Sequence, residues 1–141
     1  RPWSPTSAAP ARHRGYEPPS RTWFRQAVAN TTGEEEAARL FEQYAVPAPL
    51  RLLADLRRAT VRAEDGSSPR GPLLLVSGQE DRLAPDAATR ATYKRYGDSC
   101  AVTDLKQFAD RGHSLVFDSG RDRVLDHVLD WLAEHATTRP D

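Results

Sequence analysis

Gly71-Pro72-Leu73-Leu74-Leu75-Val76-Ser77-Gly78-Gln79-Glu80-Asp81 passes from an apolar run to a polar turn within a few residues. Four consecutive apolar residues, Leu73 to Val76, bounded by Pro72 and Gly78, predict a strand buried on both faces. Such strands belong to parallel sheets covered by helices. Residues 86–96, DAATRATYKRY, predict a crossover helix starting near Pro85. Residues 101–108, AVTDLKQF, predict the next strand, and Asp104, Lys106 and Gln107 suit an edge position. A strand, helix and strand of this length make a right-handed βαβ unit. The stretch closes on Asp110-Arg111-Gly112-His113-Ser114.

Downstream, a last helix is expected from Asp118 or Ser119. Val124, Leu125, Val128, Leu129 and Leu132 form its apolar stripe, with Trp131 beside it. Residues 137–141 are expected to fray. Upstream, RTWFRQAVAN at 21–30 predicts a short helix with Trp23, Phe24 and Val28 on its apolar side. A second helix follows, with Ala37, Leu40, Phe41 and Tyr44 on one face. Its start carries Thr32 and Glu35 in capping-box spacing, and Glu34, Glu35 and Glu36 complement the helix dipole. That accounts for the Glu run as a solvated helix start rather than a metal site. Pro47 ends this helix, and Pro49 suits the first turn of a third bearing Leu50, Leu52, Leu53 and Leu56. Residues 59–71 are a polar connector. Residues 1–20 hold Pro2, Pro5, Pro10, Pro18 and Pro19, so neither helix nor central strand is expected there. The organisation expected is a Pro-rich arm or loop over 1–20, a helical segment over 21–65 and an α/β segment over 66–141.

Composition narrows the function classes. Lys plus Arg and Asp plus Glu both number 20, so the net charge is zero. No whole-chain electrostatic attraction to nucleic acid or to an acidic membrane follows. The basic, aromatic-bearing arm (Arg1, Trp3, Arg12, Arg14, Tyr16) lacks the sustained charge run that nucleic-acid binding uses. One cysteine, Cys100, excludes an internal disulfide and a Cys-cluster zinc site; it fits a reducing, cytoplasmic setting. No stretch approaches the ~20 apolar residues of a membrane helix, and no signal-peptide core is visible at the N-terminus. The chain has no methionine and opens Arg1-Pro2-Trp3-Ser4-Pro5. It reads as a fragment, or as a protein processed at its N-terminus.

In an open parallel sheet, ligand chemistry collects outside the carboxyl ends of the strands. Asp81 follows the first predicted strand and His113 the second, so both loops are expected on one sheet edge. There an Asp can hold one ring nitrogen of a His and leave the other free as a general base. Imidazole is the side chain whose unperturbed titration lies nearest neutral pH. His127 and His135 are expected in surface roles on the last helix, and His13 lies in the arm.

The segment Gly71 to Pro85 resembles the acid-bearing strand of α/β-hydrolases: an apolar run, Gly-x-x-Asp, then Pro. Asp110-Arg111-Gly112-His113-Ser114 resembles their histidine loop, and Val124 to Leu132 their final helix. Phe24 to Asn30, the Glu34-Glu35-Glu36-Ala37 helix, and Tyr44-Ala45-Val46-Pro47-Ala48-Pro49 are similar to the helical cap of a group of bacterial α/β-hydrolases. The resemblance spans about residues 20–135. It implies the C-terminal part of an α/β-hydrolase core, a parallel βαβ unit flanked by helices, with a cap over 21–65. It implies a serine hydrolase of esters or related acyl bonds, acting on a small-molecule substrate without cofactor or metal. Its triad runs nucleophile, acid, histidine, of which the last two match Asp81 and His113. Lys106 and Gln107 depart from the more apolar strand usual in the family.

The family's nucleophile sits on a G-x-S-x-G elbow between a strand and a helix. The nearest string here, Gly97-Asp98-Ser99-Cys100-Ala101, lacks the final Gly and lies at the amino end of the second predicted strand. Ser77 and Ser114 lie near the site but on no elbow. The implied partner is therefore the N-terminal half of a hydrolase core, carrying the nucleophile and the oxyanion loop. A serine there implies acyl chemistry; an aspartate implies epoxide or haloalkane hydrolysis. The alternative is an inactive, truncated hydrolase-like module that binds a partner through an open strand edge and an apolar face.

Overall fold

The computed structural model describes residues 16–17, 19–46, 48–49, 70–97 and 101–135. The expected helix at Leu50–Leu56, the connector up to residue 69, the string around Ser99 and Cys100, and the C-terminal tail lie outside them. The described residues form a mixed α/β structure with a two-stranded parallel sheet and four helices. The chain order is β1 (Tyr16–Glu17), α1 (Arg21–Ala27), α2 (Glu34–Tyr44), β2 (Ala48–Pro49), β3 (Leu73–Gly78), α3 (Asp86–Tyr96), β4 (Thr103–Phe108) and α4 (Asp122–His135).

The N-terminal part corrects two expectations. Tyr16 and Glu17 are not in a loop: β1 pairs antiparallel with β2, Tyr16 opposite Pro49 and Glu17 opposite Ala48. Pro49 is thus in a strand rather than in a helix's first turn. A proline tolerates such a short, two-stranded edge because a missing donor costs least there.

α1 is capped by Ser20, whose Oγ accepts from the Trp23 N–H at 3.1 Å. At its far end the Arg25 guanidinium donates to the Ala29 carbonyl at 2.9 Å. The cap of α2 is Gly33, with no side-chain hydrogen bond, so the predicted capping box does not form. Thr32 instead turns back and donates its hydroxyl to the Ala29 carbonyl at 3.0 Å. The two helices bury Phe24, Ala27, Val28, Ala29, Ala37 and Leu40 against each other, with Trp23 and Phe41 at the margin. Phe24 and Phe41 meet edge to face at 5.5 Å between ring centroids.

β3 and β4 pair in parallel, from Leu73 opposite Thr103 to Gly78 opposite Phe108. The predicted strand, crossover helix and strand all form, with Pro85 at the cap of α3 as expected. Burial along β3 is less than expected for its apolar run. Leu73 to Val76 are only half buried, while Ser77 and Gly78 at the carboxyl end are buried. Asp86, the first residue of α3, ties the helix to both strands. It accepts from Ser77 Oγ at 2.5 Å and Gln107 Nε2 at 2.8 Å, and Arg90 pairs with its other oxygen at 2.9 Å.

α4 starts at Asp122, later than expected, because Asp118 is held in a turn by its own hydrogen bonds. Val124 inserts beside Phe108 and Leu115, but Leu125, Leu129 and Leu132 are 42, 62 and 49 % exposed. Trp131 reaches β4 and donates to Asp104 Oδ2 at 2.6 Å. The two α4 histidines are half buried rather than on the surface. His127 sits edge-on to Phe108, and His135 stacks on Trp131 with its Nδ1 2.9 Å from the Trp131 carbonyl. No described helix is long and apolar enough to cross a membrane.

Candidate active site

The carboxyl ends of β3 and β4 run on into two loops that stay zipped together. Gln79 N–H donates to the Phe108 carbonyl at 2.9 Å, and Glu80 N–H to the Arg111 carbonyl at 3.0 Å. Gly78 is required at this crossing, because a Cβ there would collide with the Arg111 carbonyl. The zipped loops deliver Asp81 and His113 to the same edge of the sheet, 32 residues apart in sequence.

His113 Nδ1 lies 2.9 Å from Asp81 Oδ2. A carboxylate only accepts, so this geometry places a proton on Nδ1 and leaves Nε2 as the basic nitrogen of the neutral ring. The other oxygen, Asp81 Oδ1, accepts from the Leu83 and Ala84 N–H groups, both at 2.8 Å. Asp81 therefore has divided duties: one oxygen caps the turn before α3 and the second holds the imidazole. Its side chain is 7 % exposed, whereas that of His113 is 35 % exposed. Burial pushes the Asp81 carboxyl up. The hydrogen bond from His113, the two turn N–H groups and the attraction of the imidazolium together outweigh this and hold it below its ordinary value.

The loop carrying His113 is built on a buried ion pair. Arg111 pairs with Asp118, whose side chain is fully buried. Ser114 Oγ donates to the second Asp118 oxygen at 2.7 Å, and Gly120 N–H to the first at 2.9 Å. Ser77 is equally committed, to Asp86. Both nearby serine hydroxyls are buried and occupied away from His113, and among the described residues no hydroxyl or thiol hydrogen-bonds its Nε2. Ser99 lies outside the described residues. No group of three metal-ligating side chains occurs among them.

The helical pair reaches this site. Ser114 N–H donates to the Val28 carbonyl at 3.0 Å, Gly112 N–H to Thr31 Oγ1 at 3.1 Å, and Asn30 Nδ2 to the Glu80 carbonyl at 2.9 Å. Tyr44 of α2 packs on Phe117 at 5.0 Å. Glu36, expected in solvent with Glu34 and Glu35, instead accepts from Ser119 N–H at 2.7 Å and Ser119 Oγ at 2.9 Å. Sequence reasoning missed Asn30, Arg111, Asp118 and this use of Glu36. Only the four-residue spacing of Ser114 and Asp118 offered a local signal, as a Ser–Asp turn. Comparison with protein-family models, curated proteins and solved structures finds no match.

Proposed function

We propose that this chain carries the acid and histidine of a hydrolytic triad, in a serine-type α/β-hydrolase acting on esters or related acyl bonds. The observation that carries the reading is the Asp81–His113 hydrogen bond, at the carboxyl ends of two parallel strands, with no described residue hydrogen-bonded to Nε2. His113 Nε2 takes the proton of an attacking hydroxyl and returns it to the leaving group. Asp81 fixes the tautomer and stabilises the imidazolium. The nucleophile and the oxyanion donors come from outside residues 1–141, in the N-terminal half of the core. The α1–α2 segment closes over the acyl pocket as a cap.

A second reading is a catalytically silent module that binds a partner. The half-buried Leu73–Val76 strand and the exposed Leu125, Leu129 and Leu132 support it. One experiment separates the two. With the upstream coding sequence included, the protein should bind a fluorophosphonate probe covalently, and His113→Gln should abolish labelling. The 141 residues alone should stay unlabelled. An unlabelled longer protein supports the module; labelling of the 141 residues places the nucleophile within them.

A further inference from the structure

We infer that Asn30, in the turn between α1 and α2, is a positioning residue for the Asp81–His113 pair, an assignment that rests on the triad reading above. Its amide lies between the two loops that carry the pair. Nδ2 donates to the carbonyl of Glu80, the residue before Asp81. A carbonyl cannot donate, so this bond fixes which end of the amide is which. Oδ1 then faces the other loop. A Cβ built on Gly112, the residue before His113, would sit 2.5 Å from it. That oxygen is buried and has no hydrogen-bond partner among the described residues. Leaving a buried carbonyl unpaired is costly, and such groups persist where geometry is dictated by something else.

The flanking residues extend the grip. Thr31 Oγ1 accepts from Gly112 N–H, and the Val28 carbonyl from Ser114 N–H. Both peptide neighbours of His113 and the residue preceding Asp81 are therefore held by three residues of one turn, Val28, Asn30 and Thr31. Asp81 and His113 touch each other through one hydrogen bond only. Their separation is set by the spacing of the loops, and Asn30 is the side chain that spans both. Displacement of the acid relative to the imidazole by about 1 Å costs up to ~10²-fold in rate.

The test reads the pair directly. The His113 Nδ1 proton, hydrogen-bonded to a carboxylate, gives a far-downfield proton resonance, assigned by its loss in His113→Gln. Asn30→Asp is isosteric but cannot donate to Glu80. In Asn30→Asp and Asn30→Ala that proton should exchange with solvent at least about tenfold faster, the equivalent of one lost hydrogen bond. Thr31→Val, which removes the acceptor for Gly112, should act in the same direction and carries the test if the Asn30 variants do not fold. Folded variants that keep the resonance at the wild-type exchange rate overturn the assignment. In the longer, active protein Asn30→Asp should lower kcat by up to ~10²-fold with KM nearly unchanged. Absence of hydrolysis in the wild type would sink the triad reading alone, since proton exchange still decides whether Asn30 positions the pair.

Discussion

The two ends of the β3–β4 ladder are built differently. At the carboxyl end, Ser77, Gly78, Phe108, Gly112, Ser114, Leu115 and Asp118 are buried, and backbone hydrogen bonds tie the two loops to each other and to the α1–α2 turn. Towards the amino end, Leu73, Leu74 and Leu75 are half buried, and Leu125, Leu129 and Leu132 of the α4 stripe are exposed. The stronger apolar sequence thus lies where packing among the described residues is looser. What tightens the other end is a small apolar cluster of Phe108, Leu115 and Val124 joined to polar ties: a buried Arg–Asp pair, two committed serines and three hydrogen bonds from the α1–α2 turn. Order sits where the candidate chemistry sits. A triad needs this, because orientation must be held before the reaction starts.

The largest stability effect should come from Asp118→Ala. It leaves the Arg111 charge in a nearly closed site and removes the acceptor for Ser114 and Gly120, at a cost of about 3–5 kcal/mol in urea unfolding. A cost under about 1 kcal/mol would mean that the tight end is held by something else. Two leucines then measure the contrast between the ends. Leu115→Ala, at an 8 % exposed position, should cost about 2–4 kcal/mol. Leu129→Ala, at a 62 % exposed position, should stay within about 0.5 kcal/mol. Equal costs would erase the contrast.

The smallest effect is the pH dependence. The Asp81 carboxyl titrates lower in the folded chain than in the unfolded one. As pH falls, the unfolded state therefore takes up that proton first, and folding stability drops. The contribution is complete above about pH 5 and is lost as pH falls through the folded-state value. The acid limb of a stability–pH curve should be shallower in Asp81→Asn than in the wild type. Identical limbs would mean that Asp81 contributes no linkage.

The βαβ unit was legible in the sequence because its signals are local: an apolar run, a proline-led helix and a second strand. The shared edge for Asp81 and His113 followed from topology, since parallel neighbours bring their following loops together. Burial along β3 differs from the expectation, because apolarity reports what a strand prefers to cover and not what is packed against it. α2 and α4 start later than expected where side chains outcompete local rules. Thr32, expected as a cap, and Asp118, expected at a helix start, are each used in a turn instead. The roles of Asn30 and Glu36 had no sequence signal, because their partners lie 50 and 83 residues away. No periodicity encodes a contact between a helical turn and two distant loops.

The most direct test of the account is steady-state hydrolysis of an activated ester by the longer protein and its Asp81→Asn variant. The variant keeps the shape of the acid but can present an amide N–H to His113 Nδ1, which disfavours the working tautomer. The account predicts a fall in kcat of up to about 10⁴-fold. A fall of less than roughly threefold, too small for loss of a triad acid, would contradict it and move the acid away from Asp81.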